Sequence, residues 1–348
     1  INTEHPWMRE FPSDHIQCPG HNRVCRAEGA EALAFTAGQA AQPSVFPAVA
    51  TYRLGAGQLV AFTYDLTACL VSLHQGRAMG DAAEHPDANC DGKLTPDDFF
   101  EGMRDFSLRH VPQADLHQDI LVRAILGLTA ECFPLPRLWH LPHAAPAALL
   151  LDGDGDGMTW ADLQWVLDAV EPHGVKFTFY LMDEQIEAFS SEDVAAVRAR
   201  GHDFGPHPWT GLQPTPEQWT DEIGRIVSSF SDKFGFAPDS YRSHCVIFPG
   251  WDHAPRVAAG AGLRLDTNFV PGYRFSTGYL NGSALPVRFV GADGEVLDCY
   301  EQSTVHTEDG CRGVKCLLPP LVAYYCIAFS LSFIVDLVYR FHGVNHPY

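Results

Sequence analysis

ALLLDGDGDG, at residues 148–157, joins an apolar run that is typical of a buried strand to three aspartates that alternate with glycines. Two later stretches have the same layout, because GHDFGPHPW at 201–209 and YRSHC at 241–245 also place polar side chains where a strand-like run ends. In parallel sheets and barrels, active sites are built at the carboxyl ends of the strands. The three stretches therefore predict one shared site.

The chain after residue 147 alternates between strand-like and helical patterns, which predicts an α/β fold with a parallel sheet or a (β/α) barrel. The predicted strands are 147–152, 175–181, 202–206, 239–243, 263–266 and 343–346, and the predicted helices are 159–172 (with Thr159 as N-cap), 191–200, 215–234, 252–261 and 321–341. Four prolines within 133–146 mark a domain junction. We therefore predict two domains, at 1–135 and 136–348.

The first domain has two local signals. Residues 46–66 hold two strand-like runs around a Gly-rich turn and predict a hairpin, and residues 115–132 carry apolar residues at helical spacing. YRLGAGQLVAFTYDLTACLVSLHQG, at 52–76, resembles the late strands of class I glutamine amidotransferase-like domains. The resemblance implies a smaller, flavodoxin-like α/β domain, incomplete if it begins at residue 1. It implies no amidotransferase activity, because no nucleophile elbow with a cysteine is present.

The charge balance limits the class of partner. The 348 residues carry a formal net charge of −20 and no basic patch, so a nucleic acid is not expected to bind, and a neutral or cationic ligand suits the chain better. The apolar run at 317–335 is about long enough to span a membrane. However, Pro319 and Pro320 open it and Asp336 follows at once, so we predict a buried helix and no membrane span.

Ten cysteines bear on the redox compartment. They form no zinc ribbon, and two close pairs suit local disulfides in an oxidising compartment, namely Cys18 with Cys25 and Cys311 with Cys316. The scattered ones look like small buried apolar residues: Cys69, Cys132, Cys245 and Cys326. The compartment stays open, with a secreted or cell-surface location slightly favoured, and a homo-oligomer is an open alternative to a monomer.

The imidazoles and carboxylates of the opening stretches suggest a metal site. His207 lies in the turn after a strand, whereas His202 would start that strand and is predicted to be structural. His244 follows another strand end, beside Arg242. Two imidazoles and one carboxylate of 152–156, with an open fourth position, suit a divalent ion that activates water, most simply zinc.

A second segment, DANCDGKLTPDD at 87–98, imitates a calcium loop. Its oxygen-bearing residues fall in EF-hand register, at Asp87, Asn89, Asp91 and Asp98. An EF-hand loop ends in a bidentate glutamate, however, and Asp98 is shorter. A polar surface loop followed by a helix is the favoured interpretation, and calcium binding is the alternative.

Five motifs of the second domain together carry a resemblance: ALLLDGDGDG, GVKFTFYL, ARGHDFGPHPW, APDSYRSHC and HGVNHPY. They resemble the polysaccharide deacetylase family of carbohydrate esterases, over about residues 140–348. The resemblance implies a distorted (β/α) barrel. It also implies metal-dependent deacetylation of an N-acetylated amino sugar or polysaccharide, so that the partner is a carbohydrate substrate.

The same resemblance implies a role for each matching residue. Gly155 and Gly211 stand where the family has its metal-binding aspartate and its second histidine, so nearby residues are proposed as substitutes. The implied assignments are Asp154 as general base, Arg242 as the arginine of its motif, His346 as general acid, and Asp156, His207 and His244 as metal ligands.

Aromatic residues in the predicted loops suggest how a sugar would be held. Flat apolar faces are offered by Trp209, Trp251 and Tyr273, although ordinary loop packing explains them equally well. Two other functions stay open. The two glycine departures are also consistent with a catalytically silent barrel that acts as a carbohydrate-binding or assembly module. A metal-dependent hydrolase of another amide or ester is the third interpretation.

Overall fold

The computed structural model describes most of the first 305 residues. The described residues are 1–20, 22–37, 43–78, 86–108, 111–130, 151–270, 278–279 and 281–305, together with isolated positions between 132 and 150. The predicted helix at 321–341, the strand at 343–346 and the apolar run at 317–335 lie outside them, as do Tyr273 and His346.

The described chain is a mixed α/β protein. Its strands are β1 (Glu31–Ala37), β2 (Pro43–Leu54), β3 (Gly57–Phe62), β4 (Leu151–Asp154), β5 (Phe177–Leu181), β6 (Asp203–Pro206), β7 (Ser240–Tyr241), β8 (Leu265–Asp266), β9 (Val287–Val290) and β10 (Val296–Glu301). Its helices are α1 (Leu66–Gln75), α2 (Gln113–Thr129), α3 (Trp160–Val170), α4 (Asp183–Ala188), α5 (Ser191–Ala199), α6 (Pro216–Phe234) and α7 (His253–Gly260). Within these residues, no helix combines the length and apolarity needed to cross a membrane.

Six parallel strands form the frame of the second half. Strands β4, β5 and β6 pair in parallel, and so do β7, β8 and β10, with β9 antiparallel at the edge. The two sheets adjoin at β6 and β7, where the Arg242 N–H donates to the Pro206 carbonyl at 3.4 Å. The α/β architecture with parallel strands is therefore confirmed in the described residues, while closure into a barrel stays a prediction.

The helices between these strands begin where their caps predict. Thr159 caps α3, and its hydroxyl accepts from the Asp162 N–H while the Asp162 carboxylate accepts from the Thr159 N–H. Thr215 and Gln218 make the same reciprocal bonds at the start of α6. Each predicted βα unit up to β8 is present, with limits within a few residues of those expected. Helix α4 was not predicted.

The first part of the chain has a different sheet from the one expected. The predicted hairpin is present as β2 and β3, and β1 pairs with the other side of β2, all antiparallel. Gly55 adopts φ +62° in the short turn between β2 and β3, and such a turn can only join antiparallel neighbours. A flavodoxin-like scaffold needs parallel strands joined by crossover helices, so the described residues of 1–135 do not form one.

Buried aromatic side chains join the two halves of the chain. Phe99 packs edge-on against Phe248, with ring centroids 6.1 Å apart, and Phe100 does the same with Phe269 at 6.3 Å. The Trp251 indole N–H donates to the Gln75 carbonyl at 3.0 Å. The hydrophobic core of the second half thus includes side chains from before residue 135, and the boundary at 135/136 stays a prediction.

Two fully buried carboxyl groups lie side by side at the ends of β8 and β10, where Asp266 and Glu301 are register partners. Asp266 accepts from the backbone and side-chain N–H groups of Asn268 at 2.8 and 3.0 Å, and burial raises its pKa to about 6. Burial, together with the nearby Asp266, raises the pKa of Glu301 well above its usual range, although Ser303 and Arg104 oppose this. Among the described residues, Glu301 Oε2 has no hydrogen-bond partner.

Replacing Glu301 with glutamine should therefore change how stability depends on pH. A carboxyl group with a raised pKa binds its proton more tightly in the folded state, so folding stability falls as the pH rises above the unfolded-state pKa. Glutamine keeps the acceptor for the Ser303 hydroxyl and removes this titration. We expect Glu301→Gln to be more stable than the parent by about 1–2 kcal/mol at pH 8, with little gain at pH 5, in urea unfolding.

The exposed Glu187 offers the control for that comparison. Glu187→Gln removes one carboxylate without touching a buried group, so its unfolding curves should follow those of the parent at both pH values. A Glu301→Gln variant that is less stable than the parent at pH 8 would show that Glu301 is ionised and compensated in the folded state.

Candidate metal centre

The candidate site lies at the carboxyl ends of β4, β6 and β7. Strand β4 ends at Asp154, and Asp156 follows two residues later. His207 comes directly after Pro206, the last residue of β6, and its N–H donates to the Leu181 carbonyl of β5 at 2.8 Å. His244 follows β7 in a short 3₁₀ turn. Parallel strands thus bring together groups that are 88 residues apart in the sequence.

Asp156, His207 and His244 converge on one point. His244 Nδ1 lies 3.0 Å from Asp156 Oδ1 and 3.3 Å from His207 Nε2, and His207 Nε2 lies 3.4 Å from Asp156 Oδ1. Bonds of 2.0–2.1 Å in a tetrahedral zinc site place neighbouring ligand atoms about 3.3 Å apart. The three donors therefore have the mutual spacing of three corners of such a tetrahedron. In the described part of the chain, no other group of three His, Cys, Asp or Glu residues comes this close.

The His207 ring is held in the state that a ligand needs. Its Nδ1–H donates to the Arg242 carbonyl at 2.7 Å, which leaves the lone pair of Nε2 facing Asp156 and His244. The side chain is 1% exposed, and burial lowers the pKa of this imidazole, although Asp154 and Asp156 oppose the shift. The neutral ring is therefore favoured. Asp156 and His244 remain open to solvent, which leaves room for a fourth ligand.

Arg242 is the positively charged group of the site. Its Nη1 lies 2.6 Å from Asp152 Oδ1 and 3.5 Å from Asp154 Oδ1. The guanidinium also donates from Nε to the Thr267 carbonyl at 3.2 Å and from Nη2 to the Thr304 hydroxyl at 2.9 Å. The side chain is buried, and all these bonds fix its orientation. Of the two carboxylates beside Arg242, that of Asp152 is therefore the closer.

Gly155 and Gly211, which stand where the resembled family has an aspartate and a histidine, are explained by different features of the backbone. A Cβ at Gly155 would lie 2.7 Å from the Tyr180 carbonyl oxygen, the same atom that accepts the Gly155 N–H at 2.7 Å. No aspartate fits there without moving β4 away from β5, and the carboxylate that meets the two histidines is that of the next residue, Asp156. Gly211 has φ +85° and open space around its Cβ direction. A histidine at 211 would be strained, and His244 lies in the cluster instead.

Of the three predicted aromatic contacts, Trp209 lies beside the centre. Its ring packs edge-on against His244, with centroids 4.8 Å apart, and the residue is 42% exposed. Trp251 is only 6% exposed and belongs to the hydrophobic core. This burial gives no support to its predicted sugar contact, which stays a prediction. Tyr273 lies outside the described residues.

His202 has the structural role that was expected. The Phe177 N–H donates to its Nδ1 at 3.1 Å, and its Nε2 lies 3.0 Å from Glu171 Oε1. Both ring nitrogens are therefore used to join β5, β6 and the turn after α3. The two histidines of GHDFGPHPW thus serve different purposes.

In the calcium-loop segment at 87–98, carboxylate oxygens accept hydrogen bonds from backbone N–H groups of the same segment. Asp87 accepts from the N–H groups of Asp91 and Gly92 at 3.0 and 2.8 Å, and Asp98 accepts from those of Ala88 and Thr95 at 2.9 Å each. Asp98 is buried at the start of a 3₁₀ turn rather than facing a shared centre. These bonds explain the loop without an ion, so calcium binding by Asp87, Asn89, Asp91 and Asp98 stays a prediction.

Comparison with known proteins gives partial likenesses. No protein-family model and no curated protein matches the chain. Among solved structures, it is similar to the Xyl-CE4 domain of a multidomain xylanase from the hindgut metagenome of Trinervitermes trinervoides, at 21% identity over 28% of this chain and 46% of that one, with a TM-score of 0.24. It is also similar to a family 4 acetyl xylan esterase from Clostridium thermocellum, solved with a cobalt ion, at 24% identity over 27% and 46%, with a TM-score of 0.24.

A third likeness covers more of the chain. A peptidoglycan N-acetylglucosamine deacetylase aligns at 15% identity over 55% of this chain and 81% of that one, with a TM-score of 0.32. The matched part of this chain spans less than half the length of the first two structures. None of the three is described as a glutamine amidotransferase, so that resemblance gains no support. Function has to be inferred from the chemistry of the site.

Proposed function

We propose that this protein is a metal-dependent hydrolase that removes the acetyl group from an N-acetylated amino sugar or polysaccharide. The observation that carries the proposal is the convergence of Asp156, His207 and His244 at tetrahedral spacing, with a solvent-facing side. Beside it stand two carboxylates held by Arg242. The motif resemblance described above supports the choice of substrate class.

Asp156, His207 and His244 would hold the ion. Two nitrogen donors and one oxygen donor suit zinc, and a cobalt ion is present in one of the similar structures. When bound, a divalent cation polarises the carbonyl of the acetyl group and makes water a better nucleophile at neutral pH. The protein's own contribution is to keep His207 neutral and to hold its ring in place through the Arg242 carbonyl.

Asp154 would act as the general base that accepts the proton of the attacking water. Its Oδ1 lies 3.5 Å from Arg242 Nη1, and the buried guanidinium helps to hold this carboxylate in position. Asp152, at 2.6 Å from the same nitrogen, would hold the guanidinium in position. His346 is proposed to protonate the leaving amine, and it lies outside the described residues.

Trp209 would form one wall of the substrate site. Its ring is held edge-on by His244 while part of its surface stays open to solvent, so that a flat apolar face is available to a sugar ring. A neutral sugar is compatible with the net charge of −20, because it brings no opposing charge to the acidic surface.

Acetate release by the purified chain tests this proposal. Oligomers of N-acetylglucosamine, an O-acetylated xylan and a simple anilide would be compared after loading with zinc and after chelation. We expect acetate from the N-acetylated sugar only, lost with the metal and restored when zinc is returned. Release from the anilide alone would favour a hydrolase of another amide. A chain that binds no stoichiometric metal and releases no acetate would favour the silent carbohydrate-binding module.

A further inference from the structure

Two cysteines that are distant in the sequence meet inside the first part of the chain. Cys69 lies on α1 and is 1% exposed, whereas Cys18 lies in the extended segment before β1 and is half-buried. The Cys18 and Cys69 side chains interact, because each of them shifts the pKa of the other. Both side chains belong to the same hydrophobic cluster, so this contact lies within the packed core.

His117 of α2 fixes this arrangement from the other side. Its Nε2–H donates to the carbonyl of Gln17, the residue before Cys18, at 2.8 Å, and Cys69 Sγ lies 3.7 Å from the same nitrogen. The Tyr64 hydroxyl donates to His117 Nδ1 at 2.9 Å. One buried ring therefore contacts both the Cys69 sulfur and the backbone that carries Cys18, which holds the two thiols close together.

We propose that Cys18 and Cys69 are a disulfide-forming pair that reacts with a low-molecular-weight disulfide. The expected pairing of Cys18 with Cys25 has no such support. Cys25 is exposed, and its sulfur lies 3.7 Å from the Arg23 carbonyl. The bond would join the segment before β1 to α1 and close a loop that contains the whole antiparallel sheet.

The two thiols are chemically unequal, which sets the order of the reaction. The interaction with Cys69 lowers the pKa of Cys18, whereas the interaction with Cys18, together with burial, raises the pKa of Cys69. Cys18 is also the more exposed sulfur. It is therefore the thiolate that attacks the reagent, because exchange proceeds through an accessible thiolate.

The exchange balances in two steps. The Cys18 thiolate, formed by loss of its proton to solvent, bonds to one sulfur of the reagent. The other reagent sulfur leaves as a thiolate and takes up a proton from solvent. Cys69 then attacks the Cys18 sulfur of this mixed disulfide, the second reagent thiolate leaves, and it takes up the proton that Cys69 gives. The two cysteine sulfurs lose two electrons in total, and the reagent gains them as two free thiols.

Peptide mapping of the full chain after incubation with oxidised glutathione tests the pairing. We expect a cross-linked peptide pair containing Cys18 and Cys69, and no alkylation of either residue until a reductant is added. The oxidised chain should also unfold at a temperature about 5–10 °C higher than the reduced chain, because the closed loop restricts the unfolded state.

Two serine variants separate this pair from the other cysteines. Cys25→Ser should keep both the cross-link and the temperature shift, whereas Cys18→Ser should lose both while leaving Cys69 open to alkylation only on unfolding. If Cys18→Ser fails to fold, the peptide map of the parent still decides the matter. A cross-link from Cys18 to Cys25, or full alkylation of Cys18 and Cys69 after oxidation, would overturn the proposal.

Discussion

Replacing His207 with alanine should leave the purified chain without bound metal. His207 is the most buried of the three clustered donors, and its ring is the one fixed by a hydrogen bond to backbone. Removing it leaves Asp156 and His244, which cannot by themselves enclose a zinc ion. We expect zinc affinity to fall by at least about 100-fold, with deacetylation lost at ordinary zinc concentrations, as measured by metal analysis after dialysis and by titration calorimetry.

Two further variants show whether a loss of metal in His207→Ala comes from the missing ligand atom or from misfolding. His244→Ala removes a partly exposed member of the same three-donor cluster and should lose metal to a similar extent with little effect on folding. His202→Ala removes the other histidine of the same motif, which joins β5 and β6, and should cost about 1–3 kcal/mol of stability while metal binding persists. Stoichiometric zinc in a folded His207→Ala chain would show that the ion, if any, is bound elsewhere.

Asp154→Asn should keep the metal and stop turnover. Asp154 lies outside the three-donor cluster. Its Oδ1 lies 3.9 Å from His207 Nδ1, a nitrogen that already donates its hydrogen to the Arg242 carbonyl. Asparagine preserves the size of the side chain but cannot accept the proton of a water. We expect kcat to fall by about 10²- to 10⁴-fold, with zinc content unchanged, in an acetate-release assay.

Asp152→Asn is the matched comparison on the same strand. Asp152 makes the shorter contact with Arg242, so its loss should loosen the guanidinium and lower kcat by about 10-fold without removing the base. The pH profile should separate the two variants, because only the loss of a general base removes the acidic limb. If Asp152→Asn proves the more damaging change, the base is Asp152, and Asp154 is the positioning residue.

Local patterns were sufficient to predict the order of the strands from β4 to β8 and of the helices between them, except α4. Thr159 and Thr215 cap α3 and α6 through bonds to residues three positions away, and such short-range signals can be read from the sequence. The convergence of His207 and His244 was also predictable, because the carboxyl ends of parallel strands lie at the same edge of a sheet. Spacing could not decide which carboxylate Arg242 meets, since Asp152 and Asp154 share one face of β4.

Tertiary packing decided the features that local patterns missed. The sequence around Trp251 is typical of a loop. In the structure, however, its indole N–H donates to the backbone carbonyl of Gln75, and its ring packs in the hydrophobic core. The hairpin at β2 and β3 was predictable from its turn, but the sequence around it gave no sign of β1 pairing on its far side. Pairings between distant segments depend on burial that a single sequence does not reveal.

Arg242 couples the two parts of the proposed chemistry, which are metal binding through His207 and activation of water through the aspartates of β4. The same residue orients an imidazole through its main chain and the acidic pair through its side chain. A displacement of that one peptide would disturb cation capture and water activation at the same time. Variants designed to test the proposed activity on a different acetylated compound should therefore alter the surface near Trp209 and leave position 242 unchanged.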